Sequence, residues 1–267
     1  MRHFIVISII SSFFSVFSGC QSNQQEMKKI IFLHHSTGSS IWVGKTNKYI
    51  YKLTQRGDIQ KFFSDYNKKN KTNYEIVQKP FPKKTPYGWN NYPYDYYNIW
   101  VKNGGVNPYM EEPTLEILTS EYEVIIFKHC FPVSRIMEDT GYPNIDSDEK
   151  RIENYKLQYN ALKNKMHEFQ ENKFIVWTPA VYTKNKFSED EARRTQQFHK
   201  WMIEEWDEKG DNIFIWDFYK YETEGTLYLL DKNAYNPDNA HPNRKFSGTV
   251  APLLSKFIID VIESRAE

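Results

Sequence analysis

In the stretch KKIIFLHHSTGSSIW, residues 28–42, Ser36 stands three residues beyond an apolar run. A serine hydroxyl is a poor nucleophile alone; it needs a base within hydrogen-bond reach and a group that orients the base. The chain has seven histidines. His34 and His35 adjoin Ser36, but adjacent side chains rarely point at a neighbour's hydroxyl. His167 and His199 fall in amphipathic helical patterns, and His3 in the apolar N-terminal stretch. His129 follows the third apolar run and could line a site. His241 lies in YNPDNAHPNRKFSG, a turn-rich loop before the last helical segment, three residues after Asp238. That spacing lets a carboxylate bond one ring nitrogen while the other faces a hydroxyl, fixing the tautomer and supporting the imidazolium formed during attack. The chemistry so assembled is acyl transfer, with Ser36 as nucleophile, His241 as base and Asp238 as its partner.

Such a trio needs a frame that brings residue 36 beside residue 241. Five apolar runs have the length of buried strands: KIIFL (29–33), YEIVQ (74–78), EVIIF (123–127), KFIVW (173–177) and NIFIW (212–216). They are rich in β-branched and aromatic residues, and the later ones lack alternation, as expected of strands covered on both faces. Helical patterns separate them. Ile152, Tyr155, Tyr159, Leu162, Met166 and Phe169 form one stripe. Ser188 with Glu191 three residues on is a capping-box pattern, and Phe198, Trp201, Met202 and Trp206 follow on a sheet-facing side. The last segment carries Phe246, Val250, Leu253, Leu254, Phe257, Ile258 and Val261, with Pro252 expected to kink the helix or mark its start. A weaker helix spans Tyr49–Tyr66 and contains Gly57. Alternating strands and helices call for an α/β fold with a five-stranded parallel sheet flanked by helices. Ligands of such sheets sit outside the carboxyl ends of the strands, which is where Ser36 falls.

From Lys79 to Pro113 neither period holds. The segment is dense in Pro, Gly, Asn, Tyr and Trp, too aromatic for disorder. It reads as an aromatic mini-core capping one end of the sheet, as a wall for substrate, or as both together.

At 267 residues, 40% hydrophobic and 16% aromatic, the chain can bury one substantial core. With 35 Lys plus Arg against 34 Asp plus Glu, no global field points to nucleic acid or to a membrane surface. No Cys/His metal spacing, Walker loop or dinucleotide fingerprint occurs, so no cofactor is expected. Residues 1–19, MRHFIVISIISSFFSVFSG, have a basic start, an apolar run too short to span a bilayer, and small residues before Cys20, as in a secretory signal. The ending FSGC is similar to a bacterial lipobox, which makes Cys20 a lipidation site and residues 20–27 a polar tether. Phe17 stands where Leu is usual; an ordinary secreted protein and an uncleaved anchor are the alternatives. The expected place is the cell envelope, held to a membrane through Cys20. Cys130 is then the only other cysteine, a possible nucleophile or an inert buried thiol. Asp217, ending the fifth run, either partners the histidine or caps the next turn.

The pattern resembles the SGNH (GDSL-type) serine hydrolases through Ser36 in HHSTG after the first strand and Asp238 and His241 in DNAHP before the last helix. The likeness covers the chain from about Lys28 to its end, residues 28–267 forming one domain with 79–113 as an insertion. It implies a three-layer α/β/α sandwich of flavodoxin-like type, and an esterase acting on lipid esters, thioesters or acetylated glycans. The family's Gly-Asp-Ser block is replaced here by His34, His35 and Ser36. Its oxyanion-binding Asn after the third strand is missing from FKHCFPVS, and no Gly follows the second strand directly. Gly88 and Asn91 are the nearest candidates for those donors, with Lys128 and His129 as further ones. The aromatic segment and the expected surface tether favour acetylated carbohydrate as substrate. A binding protein that holds a glycan without turning it over is the rival reading.

Overall fold

Each of the five apolar runs forms a strand in the computed structural model, which describes residues 26–88 and 90–266. These are β1 (Lys28–His34), β2 (Tyr74–Pro80), β3 (Val124–Phe127), β4 (Lys173–Trp177) and β5 (Ile213–Trp216). They pair in the order β2-β1-β3-β4-β5, all parallel, with Ile30 opposite both Ile76 and Val124. Order and direction are those of a flavodoxin-like sheet. A short antiparallel hairpin, β6 (Ala234–Asn236) with β7 (Asn239–Pro242), stands apart from it.

The helices are α1 (Ser36–Val43), α2 (Lys48–Thr54), α3 (Asp58–Asn70), α4 (Pro93–Tyr96), α5 (Leu115–Glu121), α6 (Ile152–His167), α7 (Glu189–Trp201), α8 (Phe218–Thr223) and α9 (Arg244–Ile262). Side-chain alternation divides the sheet's two faces. Ile30, Phe32, Ile126, Ile175 and Trp177 pack with α1, α3 and α9 through Trp42, Phe63, Val250 and Leu254. Ile31, Leu33, Phe127, Phe174 and Val176 pack with α6, α7 and the 79–113 segment through Tyr96, Trp100, Tyr159 and Phe198. Three layers result.

Local signals held where chemistry is local. Ser188 accepts from Glu191 N–H while Glu191 accepts from Ser188 N–H, closing the capping box of α7. Three expectations are corrected. The helix expected over Tyr49–Tyr66 breaks into α2 and α3, with Gly57 capping α3 where a Cβ would lie 2.1 Å from the Trp42 carbonyl oxygen. Pro252 does not mark the start of α9 but lies inside it, on the exposed side where water can serve the carbonyl it leaves unpaired. Leu253 is exposed as well, so the buried stripe of α9 is narrower than the sequence pattern.

The 79–113 segment is the mini-core. Phe81, Tyr87, Tyr96, Tyr97 and Trp100 are all buried, Phe81 stacking on Trp100 and Tyr96 meeting both edge-on. Rings consumed in this way cannot also stack on substrate. Residues 1–25, and with them the secretory signal and Cys20, lie outside the described residues. Among the described residues no helix is long and apolar enough to cross a membrane.

Gly38 shows how tightly β1 and α1 meet. A Cβ there would sit 2.5 Å from Cβ and Cγ of the buried His34. Gly38→Ala is expected to cost about 1–3 kcal/mol by overpacking, read as a fall in Tm; an unchanged Tm would contradict the packing described.

Candidate active site

β1 ends at His34, and α1 begins two residues later at the carboxyl edge of the sheet. Ser36 is therefore the first helical residue, half-buried, with Oγ 3.7 Å from Cys130 Sγ. Its two neighbours are anchored. His34 Nε2 bonds Gln78 Oε1 at 2.9 Å, and His35 Nε2 bonds the Pro82 carbonyl at 2.6 Å. Burial and then the charge of Lys128 push His34 down to about 3; burial is also the main cause that lowers His35 to about 4. Both rings are thus held neutral, each with Nε2 engaged away from Ser36.

Beyond β3 the chain supplies Lys128, His129 and Cys130. The Lys128 side chain is 1% exposed, and its Nζ lies 3.4 Å from Cys130 Sγ. Among the described residues no carboxylate forms an ion pair with it. Glu222, whose ionisation its field favours, is still held up at about 8 by burial and so is mostly neutral at pH 7. An ammonium buried without a counter-ion is costly.

The other three sequence candidates for oxyanion donation are otherwise engaged. Asn91 is fully buried; its Nδ2 donates to the Phe81 carbonyl (2.8 Å) and Tyr96 Oη (3.0 Å), and its Oδ1 accepts from Cys130 N–H (2.7 Å). It clamps the aromatic segment to the end of β3 and positions Cys130. His129 turns into the aromatic layer, ringed by Tyr96, Phe127 and Tyr159, with Nδ1 on the Asn91 carbonyl. Burial drives it down to about 3. Gly88 sits in a turn at φ +57°, its N–H donated to the Lys84 carbonyl. Lys128 and the Ser36 N–H are what remain.

His241 lies on β7, which packs beside α1. Its ring meets Phe131 edge-on at 5.1 Å, and Phe131 directly follows the cysteine that touches Ser36. Ser36 and His241 are thus brought to the same corner, flanking Cys130–Phe131. No direct hydrogen bond joins them, and Ser36 Oγ faces the thiol instead. Asp238 is not where the sequence spacing puts it. Its carboxylate is mostly exposed and pairs at 3.6 Å with Lys186, while its N–H closes a turn onto Asn236. The reason is strand periodicity: on β7, residues 239 and 241 share a face, and 238 belongs to the turn. Asn239 takes the place. Its Oδ1 accepts the His241 backbone N–H (3.0 Å) and lies 2.6 Å from His241 Nδ1. Because a backbone N–H can only donate, the amide oxygen is fixed facing the ring, so Nδ1 carries the proton and Nε2 the lone pair. That is the tautomer a general base needs.

With this geometry in view, likeness to known proteins is slight. No protein-family model matches the chain, and no curated protein does. A solved structure similar to it is that of a carbohydrate esterase, described as having an active site with divergent catalytic and non-catalytic binding functions. The two share 12% identity at a TM-score of 0.38, over 87% of this chain and 68% of that one.

Asp217 is also settled: it caps α8 and binds His199 Nε2 at 2.8 Å, so it serves another histidine. At the opposite, amino edge of the sheet, His167, Glu208 and Asp211 bring metal-type donors within 4.8 Å of one another, but Lys163 already neutralises Glu208. The residue that sequence spacing missed is Asn239, which stands where Asp238 was expected; Lys128 was among the oxyanion candidates, but its burial was not foreseen. The period-two rule applied to NAHP would have found Asn239.

Asn239→Leu is expected to lower ester turnover about 10²-fold by freeing the imidazole. Asp238→Ala should change it less than about threefold, since exposed ion pairs contribute little. The reverse ranking would restore Asp238 to the site.

Proposed function

We propose that this chain is a serine ester hydrolase acting on acylated, in particular acetylated, carbohydrate. One observation carries the reading. A half-buried serine at the start of a helix, on the carboxyl edge of a parallel sheet, shares a corner with a tautomer-fixed histidine and a buried lysine lacking a counter-ion.

Ser36 Oγ attacks the acyl carbonyl as His241 Nε2 takes its proton, and Asn239 Oδ1 holds the imidazolium through Nδ1–H. Negative charge develops on the carbonyl oxygen. The Lys128 ammonium and the Ser36 N–H stabilise it, and Lys128 gains there the counter-charge it lacks in the free protein. His241 then protonates the leaving alcohol, and water releases the acyl group by the same steps in reverse. For this relay Ser36 Oγ must rotate from Cys130 Sγ toward His241, which fits the looser geometry common before substrate binds. Incubating pure protein with acetylated xylan and similar glycans tests the reading: acetate is released by wild type and not by Ser36→Ala. No release across a broad panel would overturn it.

The non-catalytic alternative is favoured by one feature, the missing Ser36–His241 hydrogen bond. Fluorophosphonate separates the two. A working relay is labelled at Ser36; a pure binder is not.

We place the protein in the cell envelope, held by lipid on Cys20, from the lipobox-like FSGC. Cys20→Ser is then expected to move the protein from the membrane fraction to the soluble fraction; unchanged fractionation would contradict the anchor.

A further inference from the structure

Beside the corner shared by Ser36 and His241, their chain neighbours Ser39, Ser40 and Pro242 line an open pocket of about 430 Å³. Ser39, one helical turn beyond Ser36, forms one side with Val43; Pro242, the residue after His241, forms the other. Tyr51 of α2 and Tyr235 of β6 face into it, and Ser247 of α9 lies at its base.

Three properties of this pocket bear on its ligand. Two aromatic rings and the aliphatic Val43 and Pro242 present apolar surface. Tyr235 is 70% exposed, an open ring face at the rim, whereas Tyr51 is held because its hydroxyl accepts from Gln78 Nε2 at 2.8 Å. Gln78 is also the partner of His34, so the pocket wall and the Ser36 loop share a support. The third property is the most telling. Ser247 is 1% exposed, yet its Oγ has no hydrogen-bond partner. Buried hydroxyls are normally paired, and one left open toward a pocket awaits a polar atom from outside. A fatty acyl chain would cover the rings but leave that hydroxyl unpaired. A sugar ring offers both apolar C–H faces and hydroxyls. The larger hollow of about 740 Å³ between α8 and the start of α9 is lined by no residue adjoining His241 and by none of α1, and its Lys232 is paired with Glu224.

We infer that this pocket is the subsite for a neutral sugar ring in the alcohol part of the substrate, Tyr51 and Tyr235 covering its faces and Ser247 bonding a hydroxyl. The assignment rests on the ester-hydrolase reading for its role in turnover, but binding at the pocket does not require chemistry. It takes the part expected of the 79–113 segment, whose Phe81, Tyr87, Tyr96, Tyr97 and Trp100 are buried in the core.

The test compares an ester without sugar, p-nitrophenyl acetate, with acetylated xylo-oligosaccharide. Tyr235→Ala is expected to leave kcat/KM on the first within about twofold and to lower it on the second about tenfold, through KM. Equal loss on both substrates, or no loss on the glycan, overturns the subsite. If wild type hydrolyses neither ester, the hydrolase reading fails and calorimetry judges the pocket separately. Xylotetraose, cellotetraose and chitotetraose are titrated into full-length Ser36→Ala protein, alone and with Tyr235→Ala added. Binding that Tyr235→Ala weakens about tenfold supports the subsite; no binding of any of the three, or binding indifferent to Tyr235→Ala, overturns it. Ser247→Ala supplies a second readout: its Tm is expected to hold or rise, because a buried unpaired hydroxyl is removed, while affinity for the same sugar falls about fivefold. Unchanged affinity in that variant counts against the hydroxyl's part.

Discussion

Ser36→Ala is expected to lower ester turnover by at least about 10³-fold and to abolish covalent labelling by fluorophosphonate. The size follows from chemistry: without Oγ there is no acyl-enzyme, and only oxyanion stabilisation and binding remain to assist water. The informative comparison is Cys130→Ala. The thiol lies 3.7 Å from Ser36 Oγ and 3.4 Å from Lys128 Nζ, so a cysteine nucleophile beside a cation is the obvious rival. Cys130 is nevertheless 4% exposed, its N–H tied to Asn91, whereas Ser36 is half-buried and the more accessible of the two. Cys130→Ala should therefore keep fluorophosphonate labelling and most turnover. Loss of turnover in Cys130→Ala with retention in Ser36→Ala would move the nucleophile to the thiol. Mass spectrometry of the labelled peptide reads the answer directly.

Lys128→Met is expected to make the protein more stable and far less active. Replacing a buried charge by an apolar chain of similar volume is often stabilising by about 1–4 kcal/mol, and Lys128 has no carboxylate to lose. Removing one oxyanion-stabilising group costs about 10²–10³ in kcat. The variant also carries a pH signature. The base must be neutral, so turnover rises with pH through the His241 pKa, which burial and then Lys128 hold below the ordinary histidine value. Deleting the cation removes the second cause, and the acid limb of kcat/KM should move upward. A purely structural lysine would give a lower Tm and leave kcat/KM unchanged on its pH plateau. Thermal unfolding and a pH–rate profile on p-nitrophenyl acetate distinguish these outcomes.

The sheet was legible because parallel strands buried on both faces must be continuous apolar runs, and all five runs became strands within a residue or two. The box at Ser188 and Glu191 was equally readable, its partners being three residues apart. The split at Gly57 was not, since it depends on the Trp42 carbonyl approaching from another element. Nor was the fate of the 79–113 rings, because composition does not tell a ring packed on Phe127 from one open to solvent.

The candidate site divides the same way. Ser36 and His241 come to one corner because chain order along a parallel sheet determines which loops share an edge, and that order is written in the sequence. Asn239 in place of Asp238 follows from a side-chain period that only an actual strand imposes. Lys128, an ordinary strand-end lysine by its letter, owes its burial and lack of counter-ion to what folds over it, including Cys130, whose Sγ lies 3.4 Å from its Nζ. Local spacing decides which residues can meet; the electrostatic state in which they meet depends on solvent exclusion by distant segments, and that exists only in the packed molecule.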